Sequence, residues 1–193
     1  MTQSLPLRLA TAVVLCAAIV LSGCAAKTRY GDARGVETVT NQFGSTDLQV
    51  IAESMTRSML NNAVVTGGSR PIVTVQEVKN KTSEYIDTRA ITDSIRVELQ
   101  KSGQVRFAVD AAAMEQQIEE LKRQQSDYYE ASKSAETGKM VGAAFRLEGN
   151  ITSIVKEAKG VKDVYYKFNL QLWNVQNGLL EWTDEKEIRK TTS

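Results

Sequence analysis

The last fifty residues constrain this chain more than any other stretch. Phe145, Leu147, Ile151 and Val155 fall on one side of a strand over 144–156, with Arg146, Glu148, Asn150 and Thr152 on the other. Beyond a turn near Lys159-Gly160, Val164, Tyr166, Phe168, Leu170 and Leu172 alternate with Tyr165, Lys167, Asn169, Gln171 and Trp173. Asn177-Gly178 then marks a hairpin. A two-residue loop there sets Leu170 opposite Glu185 and Phe168 opposite Glu187. A three-residue loop with Gly178 in the left-handed region shifts the pairing by one, so that Leu172 meets Trp182, Tyr166 meets Ile188 and Lys167 meets Glu187. A one-residue slip moves every side chain to the other face, so the second register is the expected one. Three antiparallel strands result, with one buried face and one wet face. The wet face carries Tyr165, Lys167 and Trp173, and aromatic side chains beside a cation are common in recognition surfaces. These three are the candidate partner-binding residues; a helix or the N-terminal segment covering Trp173 is the competing expectation.

The other end of the chain sets the compartment. Arg8 precedes an apolar run, Leu9 to Leu21, that is too short to span a bilayer as a helix. Leu21-Ser22-Gly23-Cys24 closes it with small residues and a cysteine. This order is that of a secretory signal, and the tetrapeptide resembles a bacterial lipobox. The resemblance implies removal of 1–23, lipidation of Cys24 and, with Ala25 following, sorting to the outer membrane with the chain on its periplasmic side. Acyl anchoring contributes about 0.8 kcal/mol per buried methylene, so two or three chains hold a protein permanently. Cys16, the only other cysteine, lies in the removed segment, so no disulfide is expected.

Between the ends, 24–46 is polar and glycine-containing and reads as anchor and short tether, leaving 47–193 as one globular domain. Leu48, Ile51, Ala52, Met55 and Met59 predict a helix over 47–61 with Ser45 or Thr46 as N-cap. Pro71 opens a strand over 72–78, and Asn80-Lys81-Thr82 reads as a loop. Asp87 or Thr88 caps a second helix with Ile91, Ile95 and Leu99 inward, stopped by Gly103. Val105, Phe107 and Val109 predict a strand parallel to the first. Met114, Ile118, Leu121, Gln125 and Tyr128 predict a helix from Ala111 to about Gln125; without sustained heptads it reads as lying on the sheet. A further short helix is expected over 133–142. The fold class is therefore mixed α/β: a small mixed sheet of about five strands flanked by helices, with a C-terminal antiparallel three-strand meander.

Composition excludes several functions. There is no histidine, so Ser-His or Cys-His catalysis and His/Cys zinc sites are ruled out. With 24 Lys and Arg against 23 Asp and Glu, nothing points to nucleic acid. No cofactor, metal or small-molecule substrate is expected. A carboxylate glycan hydrolase needs two acids converging across a cleft, and the acids here mostly sit beside Lys or Arg.

Several short motifs then converge on one family. They are the lipobox, Val78-Lys79-Asn80-Lys81-Thr82 after the first strand, and Gly142-Ala143-Ala144-Phe145-Arg146-Leu147 entering the third. Leu170-Gln171-Leu172 and Gln176-Asn177-Gly178-Leu179-Leu180-Glu181-Trp182 complete the set. In this order they resemble the LpoB-type outer-membrane lipoproteins that activate bifunctional class A penicillin-binding proteins. The resemblance implies a mixed sheet flanked by helices and a non-enzymatic chain that binds a peptidoglycan synthase and stimulates it. Enteric members carry a long proline-rich tether. Here the segment after Cys24 is short, with a root-mean-square span of about 25 Å, and Pro71 is the only proline beyond the signal. The alternative is an envelope scaffold that oligomerises without activating a synthase, because the curli pore lipoprotein uses a related fold.

Overall fold

The structure, a computed structural model, describes residues 28–37 and 39–193. Of these, 33–193 form one compact unit, described here. The signal segment and Cys24 lie outside the described residues.

Four helices and a six-stranded mixed sheet make up the unit. Helix α1 is Ser45–Leu60 and a single turn, α2, is Ala63–Thr66. Strands β1 (Ile72–Val75) and β2 (Lys79–Lys81) follow, then α3 (Thr88–Lys101) and β3 (Arg106–Phe107). Helix α4 (Ala111–Gln124) precedes the three long strands β4 (Phe145–Ala158), β5 (Val161–Asn174) and β6 (Leu180–Thr192). The sheet runs β3-β1-β4-β5-β6, with β2 also paired to β4. As the strand-helix-strand spacing predicts, β1 and β3 are parallel.

Helices α1 and α3 pack together over one face, and the core lies between them and the sheet. Ile51, Met55 and Met59 from α1, Ile91, Ile95 and Leu99 from α3, and Leu147, Ile151, Phe168, Leu170 and Leu172 from the strands are all fully buried. Asp87 caps α3 by accepting from Arg89 and Ala90 N–H, and Gly103 ends it at a φ of 70°.

The meander has the expected register: Leu172 pairs with Trp182, Tyr166 with Ile188 and Lys167 with Glu187. Gly178 is left-handed, at a φ of 72°. The connection is longer than three residues, however, spanning 175–179, and the offset is absorbed by a bulge at Leu172/Trp173 that sets Trp173 opposite Leu180. This register also puts Asp184 opposite Leu170 and Lys186 opposite Phe168. Both are half-buried at the sheet edge. Charges on the inward side of an edge strand discourage pairing with another chain, and they reach water round the rim.

Other expectations need correction. Gly44, not Ser45 or Thr46, is the N-cap of α1, because the Asp47 carboxylate accepts its N–H at 2.8 Å. The strand expected over 72–78 stops at Val75, and Lys79–Lys81, expected as a loop, is a strand. The chain steps sideways so that β1 pairs with the start of β4 and β2 with its middle. The strand at 105–110 shortens to Arg106–Phe107, and the helix expected over 133–142 is only a 3-10 turn, Ala131–Lys133. Helix α4 forms where expected, capped by Asp110, but it does not lie packed on the sheet: no α4 residue is buried.

Residues 33–37 and 39–44, within the stretch read as tether, are held against the domain. Gln49 Nε2 donates to the Ala33 carbonyl at 2.7 Å, and Phe43 N–H donates to Glu84 Oε2 at 3.3 Å. Lys190 Nζ donates to the Gln42 carbonyl at 2.6 Å, and the Phe43 ring meets Tyr166 edge-on at 5.8 Å. Tyr166 O–H also donates to Glu84. Burial first, then that carboxylate, pushes the Tyr166 phenol well above its ordinary range.

Candidate docking surface

The face of the meander turned away from the core carries the three residues singled out in the sequence, but it does not gather them. Strand alternation puts Tyr165, Lys167 and Trp173 on the same side of β5, yet Tyr165 and Trp173 are about 26 Å apart along it. The face divides into two unlike halves.

The half nearer the Lys159-Gly160 turn is a ladder of internal pairs. Arg189 grips Asp163 with two bonds, at 2.9 and 2.8 Å. Tyr165 O–H donates to Glu187, and Lys167 Nζ lies 2.6 Å from Glu185 Oε2. Lys167 faces Glu187 in register but pairs diagonally with Glu185, because Tyr165 occupies Glu187. The hydrogen bond to Glu187 holds the Tyr165 hydroxyl above its usual range, and Glu185 does the same for the Lys167 ammonium. Arg189 holds Asp163 below the ordinary carboxyl range. Each charge in these pairs has its partner at home, so a visiting protein gains little by pairing with it.

The half around Trp173 is different. Trp173 is half-buried between Arg146 on β4 and Leu180 on β6, and its indole N–H is buried without an acceptor among the described residues. Such a donor costs about 1–3 kcal/mol while unpaired. Val175, Leu179 and Leu180 are exposed close by in the chain. On the same side, a cleft of about 710 Å³ opens under α4. Its walls include Phe107, Met114, Met140, Val141, Arg146 and Val175, and no Asp or Glu lines it.

A second cleft, of about 730 Å³, lies where β1 ends and α3 begins, and it has both Glu77 and Asp110 in its wall. Asp110 is committed: it caps α4 through Ala113 N–H at 2.9 Å and pairs with Arg96 at 3.0 Å. Burial alone raises its pKa, but the Ala113 bond and Arg96 outweigh it, and the carboxyl stays below its ordinary range. A general acid needs the opposite shift. No cluster of three His, Cys, Asp or Glu able to hold a metal occurs among the described residues, and none of their helices is long and apolar enough to cross a membrane.

With this geometry in hand, residues 47–188 match the family model described as peptidoglycan-synthase activator LpoB. The chain belongs to the LpoB family. The LpoB C-terminal domain from Salmonella enterica is 19% identical over 74% of this chain and 98% of that domain, with a TM-score of 0.46. The Escherichia coli LpoB C-terminal domain matches at 19% over the same shares, with a TM-score of 0.45. Lipoprotein GNA1162 from Neisseria meningitidis is 17% identical over 63% of this chain and 84% of that one, with a TM-score of 0.40. No curated protein matches the sequence. Within this LpoB domain the sequence reasoning missed the α4 cleft: Met140 and Val141 carry no periodic signal, and the half-buried side of α4 is set by where the helix sits over β1 and β3.

Proposed function

We propose that this LpoB-family chain is a non-enzymatic, lipid-anchored envelope protein that binds a bifunctional class A penicillin-binding protein and raises its activity. One observation carries the reading: the match to a synthase-activator family spans 47–188, which is nearly all of the folded unit. The absence of histidine and the commitment of Asp110 to structural bonds support a role by contact rather than catalysis. Cys24 is the proposed lipidation site and the periplasmic face of the outer membrane the proposed location. Because Ala33, Gln42 and Phe43 are bonded to the domain, the stretch able to act as tether is shorter than 24–46. The synthase must therefore extend towards the outer membrane to meet it.

The test is glycan polymerisation and cross-linking by a purified class A synthase with and without the full-length chain in detergent. A several-fold stimulation of at least one activity is expected. Tight binding with neither activity changed would replace activation with the scaffold reading. Radiolabelled palmitate entering the parent but not Cys24→Ser tests the anchor.

A further inference from the structure

Resting on that reading, we infer that the cleft between α4 and the sheet, extended by Trp173 and the β5–β6 connection, is the seat for an apolar segment of the synthase flanked by carboxylates.

The lining selects that chemistry. Met114, Met140, Val141, Phe107 and Val175 give an apolar floor and rim. Val141 and Val175 are more than half exposed, so they are free to be covered. The charged side chains in the wall are Arg106 and Arg146, with no acid among them. Arg106 Nε reaches only the Arg70 carbonyl, at 3.4 Å, and pairs with no carboxylate among the described residues. Arg146 lies 3.2 Å from Glu148 without an aligned hydrogen bond. One guanidinium without a carboxylate partner among the described residues, Arg106, and a second loosely paired one, Arg146, over an apolar floor complement carboxylates beside apolar side chains.

Two further observations point the same way. Helix α4 buries none of its residues, and a helix of this length gains little stability from propensity alone. It is held mainly at its ends, by the Asp110 cap and by Gln124 and Gln125, which bond Ala135. An occupant in the cleft would supply the missing contacts along Met114 and Gln117. Beside Arg146 in the sheet, the Trp173 N–H is closed to solvent and lacks an acceptor among the described residues, and an occupant would offer one only once the indole turns outward. The Tyr165 and Lys167 half, with its charges already paired, is left as rim.

The test measures binding of full-length variants, in detergent, to purified class A synthases of the same envelope. Val141→Asp and Arg106→Glu are expected to weaken binding at least tenfold, with Arg106→Glu also flattening its salt dependence. Lys167→Ala should stay within twofold of the parent. Both cleft positions are exposed, and thermal midpoints within a few degrees of the parent establish that the variants fold. If both cleft variants bind within twofold of the parent, the inference is overturned while the synthase reading stands. If the parent self-associates in sedimentation and the cleft variants are monomeric, a second copy is the occupant and the inference is again wrong. A parent that binds none of the synthases overturns the functional reading and takes this inference with it.

Discussion

Lys190→Met is the sharpest test of how the N-terminal segment and α1 are joined to the sheet. Lys190 Nζ lies 3.0 Å from Asp47 Oδ2 and donates to the Gln42 carbonyl at 2.6 Å. The Asp47 side chain is only 6% exposed and that of Lys190 17%. Removing the ammonium leaves Asp47 with the Gly44 N–H as its remaining partner, in a place nearly closed to water. Breaking a buried pair from one side costs about 3–5 kcal/mol. Because the Lys190 end retains some access to solvent, the lower end applies, about 3 kcal/mol. For a domain of this size that lowers the thermal midpoint by about 6–12 °C. In Asp47→Asn/Lys190→Met the amide oxygen still accepts the Gly44 N–H and no charge is stranded. The double variant should lose only about 1 kcal/mol, so the two singles summed exceed it by at least about 2 kcal/mol. Urea unfolding of all four proteins at neutral pH measures the cycle. Limited proteolysis within 33–44 should quicken in Lys190→Met, since Gln42 loses its donor. A Lys190→Met loss below about 1 kcal/mol, or singles that simply add, would refute the coupling and with it the docking of the segment.

Three other outcomes are expected. Gly149→Ala should cost about 3 kcal/mol in urea unfolding, because an added Cβ stands 2.1 Å from the Asn169 carbonyl oxygen and backbone has to move; an unchanged midpoint contradicts the close approach of β4 to β5. Asp110 has a depressed folded-state pKa, so its contribution is fully present above the unfolded value near 3.9 and is lost as pH falls through the lower folded value. Asp110→Asn should therefore flatten the stability loss below about pH 4, and an acid limb identical to the parent's removes that role. Trp173→Phe keeps one six-membered aromatic ring and deletes the pyrrole half with its unpaired N–H, so the lost packing and the relieved donor offset and the thermal midpoint should stay within a few degrees of the parent's while synthase binding weakens; a sharp drop in midpoint places the indole nitrogen in a bond the structure does not show.

Local pattern by itself determined the inward faces of α1 and α3, the Asp87 cap and the β5–β6 register. These rest on interactions between residues close in sequence, where alternation and turn chemistry leave one arrangement that buries the apolar set. The short motifs pointed to the LpoB family for a related reason, since turns and strand entries keep their residues near one another along the chain. Only the tertiary structure decided that β1 breaks at Gln76 and resumes as β2, because that depends on how far β4 extends beyond β1. It alone decided that α4 stands off the sheet, since an apolar stripe states what could be buried, not whether a surface lies within reach. It also separated Trp173 from the paired charges around Tyr165 and Lys167. Alternation assigns a face to each side chain, while the length of the strand and the pairs across it decide which of them can meet one partner together.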